Sequence, residues 1–143
     1  MLSNHLIIYT DGASRGNPGH AAGGFIVFDS KKKKIYQESK FLEITTNNVA
    51  EHTAVLMAHE WLQRNLAEKP AKVEFFVDSQ LVVNQLNGNF KIKSSHLKSI
   101  VSKTKQLVAL ASYQAVYNYI PRERNTLADA LVNSELDKVA AVT

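Results

Sequence analysis

Between residues 42 and 49 the hydrophobic period of this chain changes, and that change decides its fold class. Upstream, the apolar runs 5–13, 24–29 and 35–42 read as strands. The links between them are short. Gly12, Gly16, Asn17, Pro18 and Gly19 supply turn chemistry before the second run and residues 30–34 before the third, so the three strands should form an antiparallel meander. From 49 to 66 the period becomes helical, with Ala50, Ala54, Met57 and Trp61 in one stripe that Val55, Ala58 and Leu62 widen. Strand character returns at 72–78. A short helix over 79–86 should end at Asn87-Gly88-Asn89, a second helix spans 95–111, a fifth strand at 113–120 stops at Pro121, and a last helix runs over 125–139.

In the order βββαβααβα the later strands rejoin the sheet only by crossing over helices, which makes them parallel neighbours. The expected class is α/β: a five-stranded mixed sheet, three strands antiparallel and then two parallel, with helices on both faces. A length of 143 residues suits one domain, 1–143, and 45% hydrophobic with 21% charged residues is a globular composition. There is no cysteine, which excludes disulfides, thiol nucleophiles and zinc thiolates. No apolar run approaches the ~20 residues needed to span a bilayer. The start, Met-Leu-Ser-Asn-His-Leu, has no charged segment leading into a long apolar one, so a cytoplasmic location without a membrane partner is expected. The net charge of +4 favours an anionic partner without identifying it.

Against that basic whole, four acids stand in or beside apolar runs: Asp11, Glu51, Asp78 and Asp129. Each has an ordinary explanation when read alone. Asp11 and Asp78 suit turns that close strands, Glu51 suits a capping box with Asn48 as the N-cap, and Asp129 suits a half-exposed helix. Together they are better explained by convergence on divalent cations, because an ionised carboxylate in apolar surroundings is costly until something positive meets it. The topology puts Asp11 and Asp78 near the carboxyl ends of adjacent parallel strands, where open α/β sheets bind ligands. Helical spacing keeps Glu51 with Val55 and Ala58, and Asp129 with Val132 and Leu136.

Other candidates are weaker. Residues 12–19 lack the lysine and spacing of a Walker loop and join strand to strand. The lysines at 31–34 suit a solvated turn, whereas Lys91, Lys93, Lys98, Lys103 and Lys105 recur along one helical region and could face phosphates. His52 and His59 are seven apart, and core or surface roles suit the histidines better than metal ligation.

Four segments carry a family resemblance: Tyr-Thr-Asp-Gly-Ala-Ser-Arg-Gly-Asn-Pro-Gly, Thr-Thr-Asn-Asn-Val-Ala-Glu, Val-Asp-Ser-Gln-Leu-Val-Val-Asn-Gln-Leu and Pro-Arg-Glu-Arg-Asn-Thr-Leu-Ala-Asp-Ala-Leu. In this order, over about residues 5–138, they resemble the type 1 ribonuclease H family. The resemblance implies the ribonuclease H-like fold and metal-dependent endonucleolytic cleavage of the RNA strand of RNA–DNA hybrids. It implies Asp11, Glu51, Asp78 and Asp129 as catalytic metal ligands, contacts to the hybrid from Asn17, Asn48, Gln80 and Asn125, and a phosphate held by Thr46.

Two departures from the family pattern matter. The loop Ile120-Pro121-Arg122-Glu123-Arg124-Asn125 lacks the catalytic-loop histidine of many members, leaving Arg122, with Arg124 as substitute, to serve instead. The region after Asp78 also lacks an extended basic insertion, and no separate hybrid-binding domain is expected. The mechanism implied uses two Mg²⁺ ions, with Mn²⁺ as a substitute, at a separation of roughly 3.5–4 Å. Asp11 would bridge them, Glu51 and Asp78 completing one shell and Asp129 the other. A monomer acting on RNA–DNA hybrid is expected, with RNA–RNA duplex as a further candidate substrate. The alternatives are a non-catalytic nucleic-acid-binding module on the same fold and a DNA-processing relative such as a resolvase or exonuclease.

Overall fold

The structure, a computed structural model, describes residues 4–65 and 70–142. Strands β1 (His5–Arg15), β2 (Gly19–Phe28) and β3 (Lys34–Thr45) form the meander, and helix α1 (Asn47–Asn65) follows. Then come β4 (Lys72–Val77), α2 (Gln80–Leu86), α3 (Ser95–Leu110), β5 (Gln114–Tyr119), a 3₁₀ turn (Arg122–Arg124) and α4 (Thr126–Val142). The sheet order is β3-β2-β1-β4-β5. β1 to β3 pair antiparallel, while β1 with β4 and β4 with β5 are parallel, as the helical crossovers require.

Alternation along β1 assigns the two faces. Leu6 and Ile8 are fully buried with Val55, Ala58, Trp61 and Leu62 of α1, and α3 packs on α1. Tyr36 of β3 closes one end of this core by stacking on Trp61 with ring centroids 4.7 Å apart. On the opposite face α4 lays Val132 and Leu136 against Ala22. Helices therefore cover both faces.

Several element boundaries differ from those read in the sequence. β2 starts at Gly19 rather than 24, and the turn shrinks to Gly16, Asn17 and Pro18. Gly16 alone of the glycines read there as turn-formers has a positive φ, +96°. Gly12 lies inside β1, paired with Gly23. A continuing antiparallel ladder satisfies the backbone of these small residues better than a long loop would. The capping-box reading of Glu51 also fails. Thr46 is the cap of α1, its Oγ1 accepting from Val49 N at 3.2 Å and its carbonyl from Ala50 N at 3.0 Å, which puts Glu51 beyond the first turn. The last residue of the expected helix, Leu66, lies outside the described residues.

Candidate active site

β4 stops at Val77, paired with Thr10, while β1 runs on to Arg15 beside β2 alone. The sheet therefore opens at Asp11 and Asp78, the residues that follow this last parallel pair. What brings Glu51 there is the absence of side chains beneath α1. A Cβ on Gly12 would lie 2.3 Å from the Ala50 carbonyl carbon and 2.4 Å from Glu51 N, and one on Gly23 3.2 Å from Ala50 O. The first turns of α1 thus sit directly on the Gly12–Gly23 pair.

One carboxylate oxygen from each of Asp11, Glu51 and Asp78 lies within 4.8 Å of the other two, close enough to hold a metal ion. Asp11 is only 5% exposed and Glu51 7%. Burial, and then the charge of Asp78, push the Asp11 carboxyl up to about 7, against weaker downward pulls from the Gly12 N–H and Glu51. Glu51 is raised well above the usual range by burial and by the charges of Asp11 and Asp78. Its Oε2 is buried without a hydrogen-bond partner among the described residues. Crowded hard oxygens, raised acids and an orphaned buried oxygen fit a divalent cation, which would relieve all three.

Asp129, in the first turn of α4, stands outside the close triad but borders the same cleft of about 700 Å³, and its charge contributes to the rise at Asp11. Asn17, Asn48 and Arg122 also line the cleft. Arg124 does not: two residues further along the 3₁₀ turn it lines a separate pocket beside Tyr9 and Phe28. Thr46 sits at the cap of α1, and Gln80 is exposed in the first turn of α2, whose N-cap Ser79 accepts from Val82 N.

Asn125 departs from its expected place against substrate. It is 1% exposed, and its Nδ2 donates to Thr10 O at 2.8 Å and to Asp78 Oδ2 at 3.1 Å. The 3₁₀ turn folds it beneath the site, where it steadies Asp78 from inside. Other polar residues of the cleft went unnoticed as site residues in the sequence, among them Ser14, Arg15, Asn47 and Asn133. Asn47 is the clearest. Its N–H donates to Asn17 Oδ1 at 3.0 Å and its own Oδ1 accepts from Ser14 N at 2.8 Å, which ties the β1–β2 turn to the start of α1. Its place between Thr46 and Asn48 was the available signal.

The histidines on α1 are inside. His52 Nε2 lies 2.8 Å from Gln85 Oε1, and burial lowers its pKa. His59 sits between Tyr113 and Tyr117. Of the lysines expected to face phosphates, Lys91, Lys98 and Lys105 line one groove between α2 and α3, with the half-exposed Phe90.

A family model described as reverse transcriptase-like matches residues 9–135. A bifunctional protein of Mycobacterium tuberculosis is 35% identical over 136 residues, covering 94% of this chain and 36% of that protein, so the chain spans about a third of such relatives. Ribonuclease HI of Halobacterium salinarum is 33% identical over 129 residues, 90% of this chain and 63% of that protein. Among solved structures, an RNase H1 isolated from compost by a metagenomic approach superimposes with a TM-score of 0.87 at 40% identity, covering 96% of this chain and 99% of that one. That RNase H1 has also been solved in complex with RNA/DNA hybrid, matching at 39% identity and a TM-score of 0.87 over 94% of this chain and 99% of that one. With a family match that leaves only its two ends outside, the chain belongs to the type 1 ribonuclease H family.

Proposed function

We propose that this protein is a metal-dependent endoribonuclease that hydrolyses the RNA strand of RNA–DNA hybrids. The observation that carries the reading is the convergence of Asp11, Glu51 and Asp78 in a cleft that Asp129, Arg122 and side-chain amides border. Asp11, Glu51, Asp78 and Asp129 would hold Mg²⁺, with Mn²⁺ as a substitute, and the bound ions supply activation of water and neutralisation of phosphodiester charge. Asn125 holds Asp78 in place from beneath the site. Arg122, which lines the cleft, is the candidate to hold a phosphate through its guanidinium. Thr46, at the cap of α1, is the candidate for a second phosphate, and Asn17, Asn48 and Gln80 for minor-groove contacts, where 2′-hydroxyls distinguish RNA from DNA. The solved complex of the compost RNase H1 with RNA/DNA hybrid supports the choice of substrate. We place the protein in the cytoplasm as a monomer.

The test is cleavage of a 5′-labelled hybrid with Mg²⁺, with Mn²⁺ and with chelator, beside RNA–RNA and DNA–DNA duplexes of the same sequence. Metal-dependent internal cuts in the RNA of the hybrid are expected, with duplex DNA bound but intact. Efficient cutting of duplex DNA would overturn the assignment, and binding without any cutting would leave a nucleic-acid-binding module. Cleavage of RNA–RNA decides whether that duplex is also a substrate.

A further inference from the structure

His52 and Gln85 are buried polar residues that the proposed chemistry does not use, 1% and 6% exposed. Gln85, in α2, presents Oε1 to two groups of α1: His52 Nε2 at 2.8 Å and Asn48 Nδ2 at 3.3 Å. Asn48 lines the carboxylate cleft. An unbroken line of polar contacts therefore runs from a buried histidine to the cleft wall.

The direction of those hydrogen bonds can be deduced. Two arrangements are self-consistent. In one, His52 Nε2–H and the Asn48 amide N–H both donate to Gln85 Oε1. In the other, both amides are reversed: the Gln85 NH₂ group donates to His52 Nε2 and to Asn48 oxygen, so the His52 proton must sit on Nδ1. His52 Nδ1 is buried and has no partner among the described residues. The second arrangement would bury an orphaned N–H, as would a doubly protonated ring, whereas the first leaves only an unused lone pair. Buried donors without partners are the rarer and costlier defect. The first arrangement wins.

We propose that His52 and Gln85 are positioning residues that lock the Asn48 amide with its nitrogen held inward and its oxygen, Oδ1, turned to the cleft, so that Asn48 accepts a hydrogen bond from a 2′-hydroxyl of the RNA strand. Within one amide the oxygen points away from a tethered nitrogen, and an amide oxygen meets only donors. The 2′-hydroxyl is a donor that DNA lacks at the same place. This inference rests on hybrid being the substrate, but the relay itself does not.

Two measurements test it. Long-range ¹H–¹⁵N spectra of the histidine rings, taken on the whole protein without substrate, report the His52 tautomer. Nε2–H is expected, and Nδ1–H would overturn the proposal whatever the protein cleaves. The second measurement is hybrid binding in Ca²⁺, scanning single 2′-deoxy substitutions along the RNA strand. Wild type should lose roughly 3- to 10-fold in affinity at one position, the worth of one hydrogen bond. The pair His52→Phe and Gln85→Leu, made together so that neither leaves a buried partner unpaired, should bind the unmodified hybrid as weakly as wild type binds the substituted one. It should show no further loss at that position. If the double variant keeps the full deoxy penalty, Asn48 is not held by the relay and the proposal fails. If wild type binds no hybrid at all, the substrate reading fails, and the tautomer still decides the relay.

Discussion

Two of the polar clusters that helix α1 buries, around Glu51 and around His59, are built on opposite terms. Near its start, Glu51 meets Asp11 and Asp78, acceptors only when ionised, in a pocket where burial and mutual repulsion raise two of the three carboxyls. About two turns later, His59 sits with Nδ1 2.6 Å from the Tyr113 hydroxyl and Nε2 2.8 Å from that of Tyr117, over the Phe75 ring at 4.6 Å. A neutral imidazole offers one donor and one acceptor, and each tyrosine hydroxyl can take either role. The histidine cluster is thus complete within the protein, while the carboxylate cluster is complete only with something positive from outside. Polar burial marks a binding site where the groups present cannot satisfy one another.

Breaking the incomplete cluster should remove activity and spare the fold. Asp78→Asn keeps an oxygen that can accept from Asn125 but removes the charge that holds metal. Hydrolysis of labelled hybrid should collapse by at least ~100-fold, the upper end for lesser defects around metal ligands. Near-normal turnover would sink the metal assignment.

The next effect comes from the cleft wall. Arg122→Ala should lower turnover by roughly 10- to 1,000-fold, the upper range being that of losing one preorganised donor to a developing charge. Arg122→Lys should recover only part, because an ammonium cannot reproduce the guanidinium fork. Arg124→Ala, altering a different pocket, serves as the control, and steady-state kinetics on the three variants decide between the arginines. A guanidinium stays protonated to pH ~12 or beyond, so none of them should introduce a new ionisation between pH 6 and 8.

The complete cluster should respond the other way round. His59→Leu strands the Tyr113 and Tyr117 hydroxyls and should cost roughly 2–4 kcal/mol in denaturant unfolding. Below its lowered melting temperature, the kcat for hybrid cleavage should stay within about twofold of wild type. A large loss of kcat in a folded variant would erase the distinction between the two regions.

Titration sharpens the contrast. Asp11 has a folded value of about 7 against an ordinary 3.8, so between those values the folded protein holds a proton that the unfolded chain has released. Its contribution to metal-free stability therefore falls as pH rises through that window. His59 is pushed down to about 3 by burial, so below pH 6.5 the unfolded chain takes up the proton first and stability falls as pH drops. Each slope is at most about 1.4 kcal/mol per pH unit, and from pH 4 to 6.5 they oppose. Thermal melts of Asp11→Asn in chelator should fall more steeply toward acid than those of wild type, and an equally flat profile would contradict the pairing. The smallest effect is a rise of about 2–5 °C in the melting temperature of Asp78→Asn at pH 7.5 in chelator, because relieving like charges stabilises the metal-free fold. An unchanged or lower value would argue that the carboxylates do not repel one another.

The strands and helices were legible because burial follows a period of 2.0 or 3.6, and a short-range pattern records it. Thus the stripe from Ala50 to Leu62 is buried as its spacing requires, and Asp11 and Asp78 lie at neighbouring strand ends because short links and crossovers leave few topologies. Boundaries were less legible. The glycines at 12, 19 and 23 signal a turn and a close approach equally well, and only the seating of α1 on Gly12 and Gly23 separates the two meanings.

Residue types and their order in the sequence determined the mixed sheet and the crossovers, since each follows from local periodicity and chain connectivity, and the cost of a lone buried charge singled out four acids of which three meet. Tertiary structure alone decided which polar groups face one another. It turned Asn125 inward beneath Asp78, set Arg122 in the cleft and Arg124 outside it, and gave His59 two hydroxyl partners while Glu51 kept an oxygen with none among the described residues. The physical reason is one of range. Periodicity repeats within a few residues, but a hydrogen bond from Asn125 to Thr10 spans 115 positions of sequence, and its geometry exists only once the sheet has brought them together.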